Sequence, residues 1–348
     1  MRLSLAQMTT WGATVFATAG LHPDHAQIVA ENLAYAESRG VSGHGFVRTQ
    51  IYLDRIRAGG IRIDPTMTVV HDHGAMRVLD AGGAAGQASA LLAAETAIGL
   101  ASAFGIGCVI VRGANHFGAA AHFSEMIADA GMLGIVACNT DKAMCAPFGG
   151  ARVLGTNPIS IAVPVDGASR PVLDMATSEV SLGKLVVAAQ KGDRIPLGWA
   201  VDAAGTPTES ANEGLEGALL PSGGPKGFGL AFMVDMLAAV GGAETSPRVA
   251  PLYGDPAQVQ NLGQVFIAIR TDSDGGPDFT SRVNLLVDDV HASGPGPAGH
   301  EALFPGEPEL RRRIAGEGWF DMSEPVAVTL AALGRDTGVA MPAAEAGT

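Results

Sequence analysis

The stretch "NHFGAAAHFSEMIADAGMLGIVACNT", residues 115–140, decides how the chain is read. It opens as a glycine-bearing loop and continues as a helix with Phe123, Met126 and Ile127 at three- and four-residue intervals. It then turns tightly at Ala130-Gly131 and ends in the strand-length apolar run "MLGIVAC". Loop, helix, turn and strand in succession are the texture of an α/β fold.

The texture extends both ways. Upstream, "TMTVV" (66–70) and "MRVLDA" (76–81) read as strands, Ala85 to Phe104 as an alanine-rich helix, and "GIGCVIVRG" (105–113) as a buried strand. Downstream come a glycine-rich loop, "PFGGARVLGTNP" (147–158), and the strands "ISIAVPV" and "RPVLDMATS". Helices follow from about Leu182 to Gln190 and from Lys226, then the strand "QVFIAI", a Pro/Gly-rich stretch from Gly275 to Gly306, and a helical tail. The first forty residues read as two helices, the second with Pro23 early and Gly40 after its end. A third, carrying Phe46, Val47, Ile51, Leu53 and Ile56, is expected to end at Gly59-Gly60. His44 would then sit at its N-terminal edge and Arg48 one turn inside, on the same face. The expected organisation is a mainly helical lobe of residues 1–70 with about 285–348, and an α/β lobe of 71–284.

Composition narrows the class. The 348 residues are 47% apolar and 16% charged, with 47 glycines, which fits a loop-rich globular enzyme. The formal charge of −13 argues against nucleic acid and anionic membrane as partners. Cys108, Cys138 and Cys145 form no CxxC pair, and two lie in strand-like runs, so reduced thiols and a cytoplasmic setting are expected. The first residues lack a signal-peptide pattern, and Glu95 with glycines 99, 105 and 107 interrupts the most apolar region, Leu91 to Val111. A soluble protein is expected.

Standard motifs are largely absent. The one GxGxxG, "GPGPAG" at Gly294, carries two prolines and no helix after it, so it is no dinucleotide fingerprint. His71 and His73 in "HDH" lack further ligands, and no metal site is expected. Four loops instead set glycine beside polar groups: "SGHGFVR" (42–48), "GANHFGAAA", "PFGG…GTNP" and "SGGPKGFG". Amides at helix starts attract anions, so such loops converging would suit a pyrophosphate-bearing cofactor. On its own, His44 reads as an ordinary exposed histidine and Arg48 as a surface ion-pair partner. Together they read as an acid/base group beside an anion clamp.

Seven stretches, in order, resemble the malate/L-lactate dehydrogenase-like oxidoreductase family. They are "AESRGVSGHGFVRTQIYLDRIRAGGI", "ANHFGAAAHF", "APFGGARVLGTNPISIAVP", "VLDMATSEVSLGKL", "IPLGWAVDAAGTPT", "GGPKGFGLAFMVDML" and "LFPGEPE". The resemblance implies an NAD(P)-binding α/β sandwich unlike the Rossmann fold, a homodimer, and hydride transfer between NAD or NADP and C2 of a small 2-hydroxy acid. Reduction of a cyclic imino acid is the runner-up it implies. It makes His44 the proton donor or acceptor and Arg48 the grip on the substrate carboxylate, with Thr156 a further substrate contact. His116, Phe117, Gly118, Ala119 and Ala120 resemble cofactor contacts, and His116 resembles an active-site histidine of some members. Asp174, Met175, Ala176, Pro225, Lys226, Phe304, Pro305, Gly306 and Glu307 also resemble cofactor contacts. Three positions depart from the family pattern. Gly43 stands where a serine commonly precedes the histidine, Pro308 stands where many members have arginine, and Lys184, the residue usual in the hydroxy acid dehydrogenases, stands where imino acid reductases that use an aspartate relay have that aspartate.

Overall fold

The computed structural model describes residues 1–165, 170–272 and 278–345. The chain opens with β1 (Arg2–Ser4), α1 (Leu5–Thr18), α2 (Pro23–Ser38) and α3 (Thr49–Ala58). Next are β2 (Thr68–Asp72), β3 (Met76–Asp80), α4 (Gly86–Phe104), β4 (Ile106–Ala114), α5 (Ala120–Asp129) and β5 (Met132–Cys138). They lead to β6 (Ile159–Ala162), β7 (Val172–Met175), α6 (Leu182–Lys191), β8 (Ala200–Val201), α7 (Ala211–Glu216), β9 (Ala218–Leu219) and α8 (Pro225–Ala239). The chain closes with β10 (Leu262–Arg270), α9 (Phe279–Ala292), α10 (Glu307–Gly316), β11 (Trp319–Asp321) and α11 (Glu324–Thr337).

The expected α/β architecture is present as a seven-stranded mixed sheet in the order β2-β3-β4-β10-β5-β6-β7. Within this sheet, among the described residues, only β3 and β4 pair in parallel, with α4 as their crossover; the other neighbours are antiparallel. Strand periodicity assigns the two faces. Val109, Val111, Val136, Phe266 and Ala268 meet α4 and α5 in the main core, whereas Ile110, Ala137 and Val265 meet Val234 and Ala238 of α8. That main core also takes Met8, Val15, Leu33, Leu53, Leu330 and Leu333, so the first and last segments of the chain are packed on the sheet.

Four features differ from the sequence reading. The third helix starts late: residues 42–44 and 46–48 form two short 3₁₀ turns separated by an extended Gly45 (φ −85°, ψ −153°), and α3 begins only at Thr49. His44 and Arg48 therefore do not share a helical face. The Pro/Gly-rich stretch contains α9, because its glycines and prolines lie at the two ends while "FTSRVNLLVDDVHA" has none; Gly275 and Gly276 lie outside the described residues. β1 pairs with β11, two three-residue strands too short to show a period. Finally, α4 runs unbroken through Glu95 and Gly99 and is long and apolar enough to cross a membrane, although half of it is buried inside the molecule. Its alanines 88, 90, 93, 94, 97 and 101 are core residues.

Candidate active site

β4 and β5 run antiparallel to β10, so their C-terminal ends meet its N-terminal end at one edge of the sheet. The start of β6 and the end of β7 lie at the same edge, Ile159 opposite both Ala137 and Met175. This edge collects most of the glycine-bearing loops.

His116 follows β4 directly, and Asn115 fixes it there. The buried Asn115 amide donates to the carbonyls of Gly60, Gly83 and Ala84, and its Oδ1 accepts the Gln260 N–H at 3.1 Å. Gln260 Oε1 in turn accepts the His116 N–H at 2.9 Å. The imidazole Nδ1 lies 2.7 Å from the Tyr52 hydroxyl and accepts the Gly118 N–H at 3.3 Å. A backbone N–H can only donate, so Nδ1 is the unprotonated nitrogen and Nε2 carries the proton. Burial drives the His116 pKa well below its ordinary value, with the Arg48 charge adding to the effect, so the ring is neutral. Burial likewise pushes the Tyr52 hydroxyl up to about 12, keeping it a donor.

The 42–48 segment lays His44 against this ring. The two imidazoles stack with centroids 5.6 Å apart and planes 16° apart. Burial, then the Arg48 charge, pushes His44 down to about 4, and its Nδ1 is buried without a hydrogen-bond partner. Arg48 folds back on the same segment: its Nε donates to the Gly43 carbonyl at 2.8 Å, an Nη donates to the Tyr253 hydroxyl, and the guanidinium lies 5.4 Å from that ring's centroid. The structure thus brings His44, Arg48 and His116 together, though by the reversal at Gly45 rather than by helical spacing. The arginine fork is partly engaged by Gly43 and Tyr253, which leaves one Nη available to an anion. A side chain at Gly43 would meet nothing within 4 Å, so a serine would fit there.

Tyr52, Tyr253 and Gln260 are the members that sequence reasoning missed. Tyr52 carried one signal, four residues after Arg48 and facing the way α3 faces. Tyr253 and Gln260 come from a loop anchored by the fully buried Arg55, which donates to the carbonyls of Leu252, Asp255 and Gln258.

The remaining candidates divide by what their side chains touch. Phe117 packs into the core with Phe123 and Phe266, leaving only its main chain to a ligand. Gly118 has φ +77°, and a Cβ there would fall 1.9 Å from Asn32 Oδ1, which accepts the Ala119 N–H. Ala120 begins α5, and the next residue's N–H donates to Asp174 at 3.3 Å. Asp174 and Met175 end β7; Asp174 keeps solvent contact, while desolvation on its sheet side, with Glu125 and Glu309 nearby, pushes its carboxyl up to about 6. Pro305 and Gly306 join them: the Pro305 carbonyl accepts the Val172 N–H at 2.8 Å. The carboxylate of Glu307 is spent on His291, Arg311 and the Phe304 N–H, and Phe304 is buried. Ala176 leads to Thr177, which donates to the Thr156 carbonyl, and the Thr177 carbonyl accepts the Ser222 N–H just before Pro225 and the exposed Lys226. Thr140, at the end of β5, faces Thr156 with hydroxyls 3.4 Å apart and is a further member of this row. Among the described residues no cluster of metal ligands occurs.

The paired neutral imidazoles have a consequence for stability. His44 and the equally buried His122 sit near pKa 4, and His116 is lowered well below its ordinary value, whereas the unfolded chain protonates near 6.5. The unfolded state therefore binds more protons, and native stability falls as pH drops from about 6.5 towards 4. Thermal unfolding between pH 7 and 4.5 checks this: Tm declines across that window in the native chain, and less steeply in His122→Phe.

Residues 3–317 match the malate/L-lactate dehydrogenase family model, and the chain belongs to that family. It is 38% identical over 307 residues to L-sulfolactate dehydrogenase of Methanocaldococcus jannaschii, covering 88% of each chain. The sulfolactate dehydrogenase structure from that organism superposes with a TM-score of 0.91 over 98% of both chains. Ureidoglycolate dehydrogenase (NAD(+)) of Escherichia coli strain K12 is 36% identical over 305 residues, 86% of each. The structure of delta1-piperideine-2-carboxylate reductase from Pseudomonas syringae is 29% identical, with a TM-score of 0.87 over 96% of this chain and 99% of that one.

Proposed function

We propose that this protein is a nicotinamide-dependent dehydrogenase of a small 2-hydroxy acid, using NAD or NADP, and that His44, Arg48 and His116 form its reacting centre. The observation that carries the reading is two neutral, stacked imidazoles beside one arginine at the sheet edge where the loops converge. The family relation and the relatives' names support it.

The residues present fit the cofactor. The exposed Asp174 carboxylate suits ribose hydroxyls, and the N-terminus of the 15-residue α8 with Lys226 suits a pyrophosphate. Gly223 beside it is open, with nothing within 4 Å of a would-be Cβ. The nicotinamide, when bound, accepts or supplies the hydride at C2. The substrate carboxylate docks on Arg48, displacing the Tyr253 hydroxyl. His116 donates from Nε2 to the substrate oxygen, because its Nδ1 is committed to accepting. His44, neutral and with no donor pinning its ring, takes the hydroxyl proton in oxidation and returns it in reduction. Neutralising Arg48 with a carboxylate removes one of the two influences that depress His44, so substrate binding itself makes His44 a better base.

In this reading the mixed sheet is a cofactor platform other than a doubly wound one, flanked by a lobe from the chain's two ends. A homodimer is supported by the exposed Leu230, Phe232, Met233, Leu237 and Val240 along α8. The three free thiols suit the cytoplasm. Lys184, exposed in the first turn of α6, favours alcohol over imine chemistry, since the resemblance puts lysine there in the hydroxy acid dehydrogenases and aspartate in those imino acid reductases that use an aspartate relay. The test is oxidation of NADH and NADPH with pooled 2-oxo acids and, separately, pooled cyclic imino acids. Turnover with the oxo acids is expected; turnover with the imino acids alone would replace the reading with the reductase of the runner-up.

A further inference from the structure

We propose that Glu37 is a positioning residue for this reaction, holding the Ser42–Arg48 segment so that His44 and Arg48 face the site; this rests on the reading of those two residues given above. Glu37 lies at the end of α2 and is 6% exposed. Its Oε1 accepts the Phe46 N–H at 2.9 Å, and the Ser42 side chain is near enough to the same carboxylate to favour its charged form. One side chain therefore meets the segment on both sides of His44 and bonds it just beyond. A carboxylate holds an amide N–H more firmly than a neutral acceptor would.

Gly45 is matched to it. A Cβ at Gly45 would lie 2.0 Å from Glu37 Oε1 and 2.3 Å from Cδ, so the backbone presses directly on the carboxylate. The φ of −85° there is open to any residue; closeness, not backbone freedom, requires the glycine. The reversal at Gly45 is what turns Arg48 back onto the Gly43 carbonyl. Take the carboxylate away and the two 3₁₀ turns keep their own weak internal bonds, from His44 to Val41, Gly45 to Ser42 and Arg48 to Gly45, beside the Arg48 bond to the Gly43 carbonyl and the Thr49 hydroxyl bond to the Phe46 carbonyl, and the Phe46 N–H is left without its acceptor.

The arrangement is costly, which marks it as more than packing. Burial pushes the Glu37 carboxyl up to about 7, and what opposes this is the nearby Ser42 side chain and the Phe46 N–H bond. A structural helix end needs no buried acid. Arg39, two residues on, is paired instead with Glu125 at 2.6 Å.

The test compares Glu37→Met, which fills the volume without an acceptor, with Glu37→Gln, whose amide oxygen can still accept the Phe46 N–H. Turnover, KM for the carboxylate substrate, KM for the cofactor and Tm are read for both beside His44→Ala. Glu37→Met is expected to lower kcat at least tenfold and raise the carboxylate KM, leaving cofactor KM and folded fraction as in the native chain. Glu37→Gln is expected to restore kcat to within threefold. Should Glu37→Met fail to fold, Glu37→Asp, which retracts the carboxylate by one methylene, is read in its place with the same expectation. Native kcat in Glu37→Met, a loss matching its loss of folded protein, or a Gln variant as slow as the Met variant overturns the proposal. If His44→Ala keeps native turnover, the reading of the site fails first; if it is inactive while Glu37→Met is not, this inference alone fails.

Discussion

Lysine in place of Arg48 is expected to lower kcat/KM by about 10²-fold, with cofactor KM unchanged. The charge survives this substitution, so a site needing only a cation would barely respond. The guanidinium here does three things a lysine ammonium cannot do together. It bonds the Gly43 carbonyl through Nε, meets the Tyr253 hydroxyl through Nη, and places its centre 5.4 Å from the Tyr253 ring centroid. These two bonds fix the guanidinium against the segment and leave one Nη for the carboxylate of the proposed substrate. Lysine, a point charge on a flexible stem, holds neither the segment nor the substrate in one orientation. Steady-state kinetics on a 2-oxo acid reads the effect, which falls on both KM and kcat because hydride transfer at C2 depends on the angle of approach.

Alanine in place of Gly86 is expected to destabilise the fold by about 3 kcal/mol and to cut turnover in the fraction that remains folded. Helix propensity alone argues the opposite sign, since alanine is favoured over glycine in a helix by about 1 kcal/mol. Position decides which effect wins. Gly86 is the first residue of α4, and a Cβ there would fall 2.1 Å from the Asn115 carbonyl oxygen and 2.4 Å from that of His116. Both are main-chain atoms, so nothing flexible can swing aside. Relief requires moving either the helix or the loop that carries His116, and Asn115 ties that loop to Gly60, Gly83, Ala84 and Gln260. Denaturant unfolding with parallel kinetics separates the two losses. A stabilised variant would show that the α4–loop contact is looser than described.

Much of the architecture was legible because it is local. The helix–turn–strand of residues 120–138 and the strand 106–114 announce themselves by period and by the glycines that end them, and α8 begins within one residue of its expected start. What was not legible depends on partners far along the chain. Three-residue β1 exists only because β11 lies beside it, some 320 residues away. The break before α3 arises because Glu37 captures the Phe46 N–H, a contact invisible to helical periodicity. The site shows the same division. His44, Arg48 and His116 stand out in glycine-flanked motifs, whereas Tyr253 reaches Arg48 across 205 residues and Gln260 reaches His116 across 144, and neither lies in any motif. The resemblance named residues by position alone. It could not say that Phe117, Phe304 and Glu307 have side chains already engaged within the protein.

The central claim is that His44 exchanges the proton of the reacting hydroxyl, with His116 as neutral donor. The measurement that tests it most directly is turnover of His44→Ala on the best 2-oxo acid, with NADH affinity followed separately by fluorescence. The account predicts kcat lower by at least about 10²-fold with cofactor affinity unchanged. Turnover within threefold of the native chain, at unchanged cofactor affinity, would contradict it and move the proton chemistry to another group.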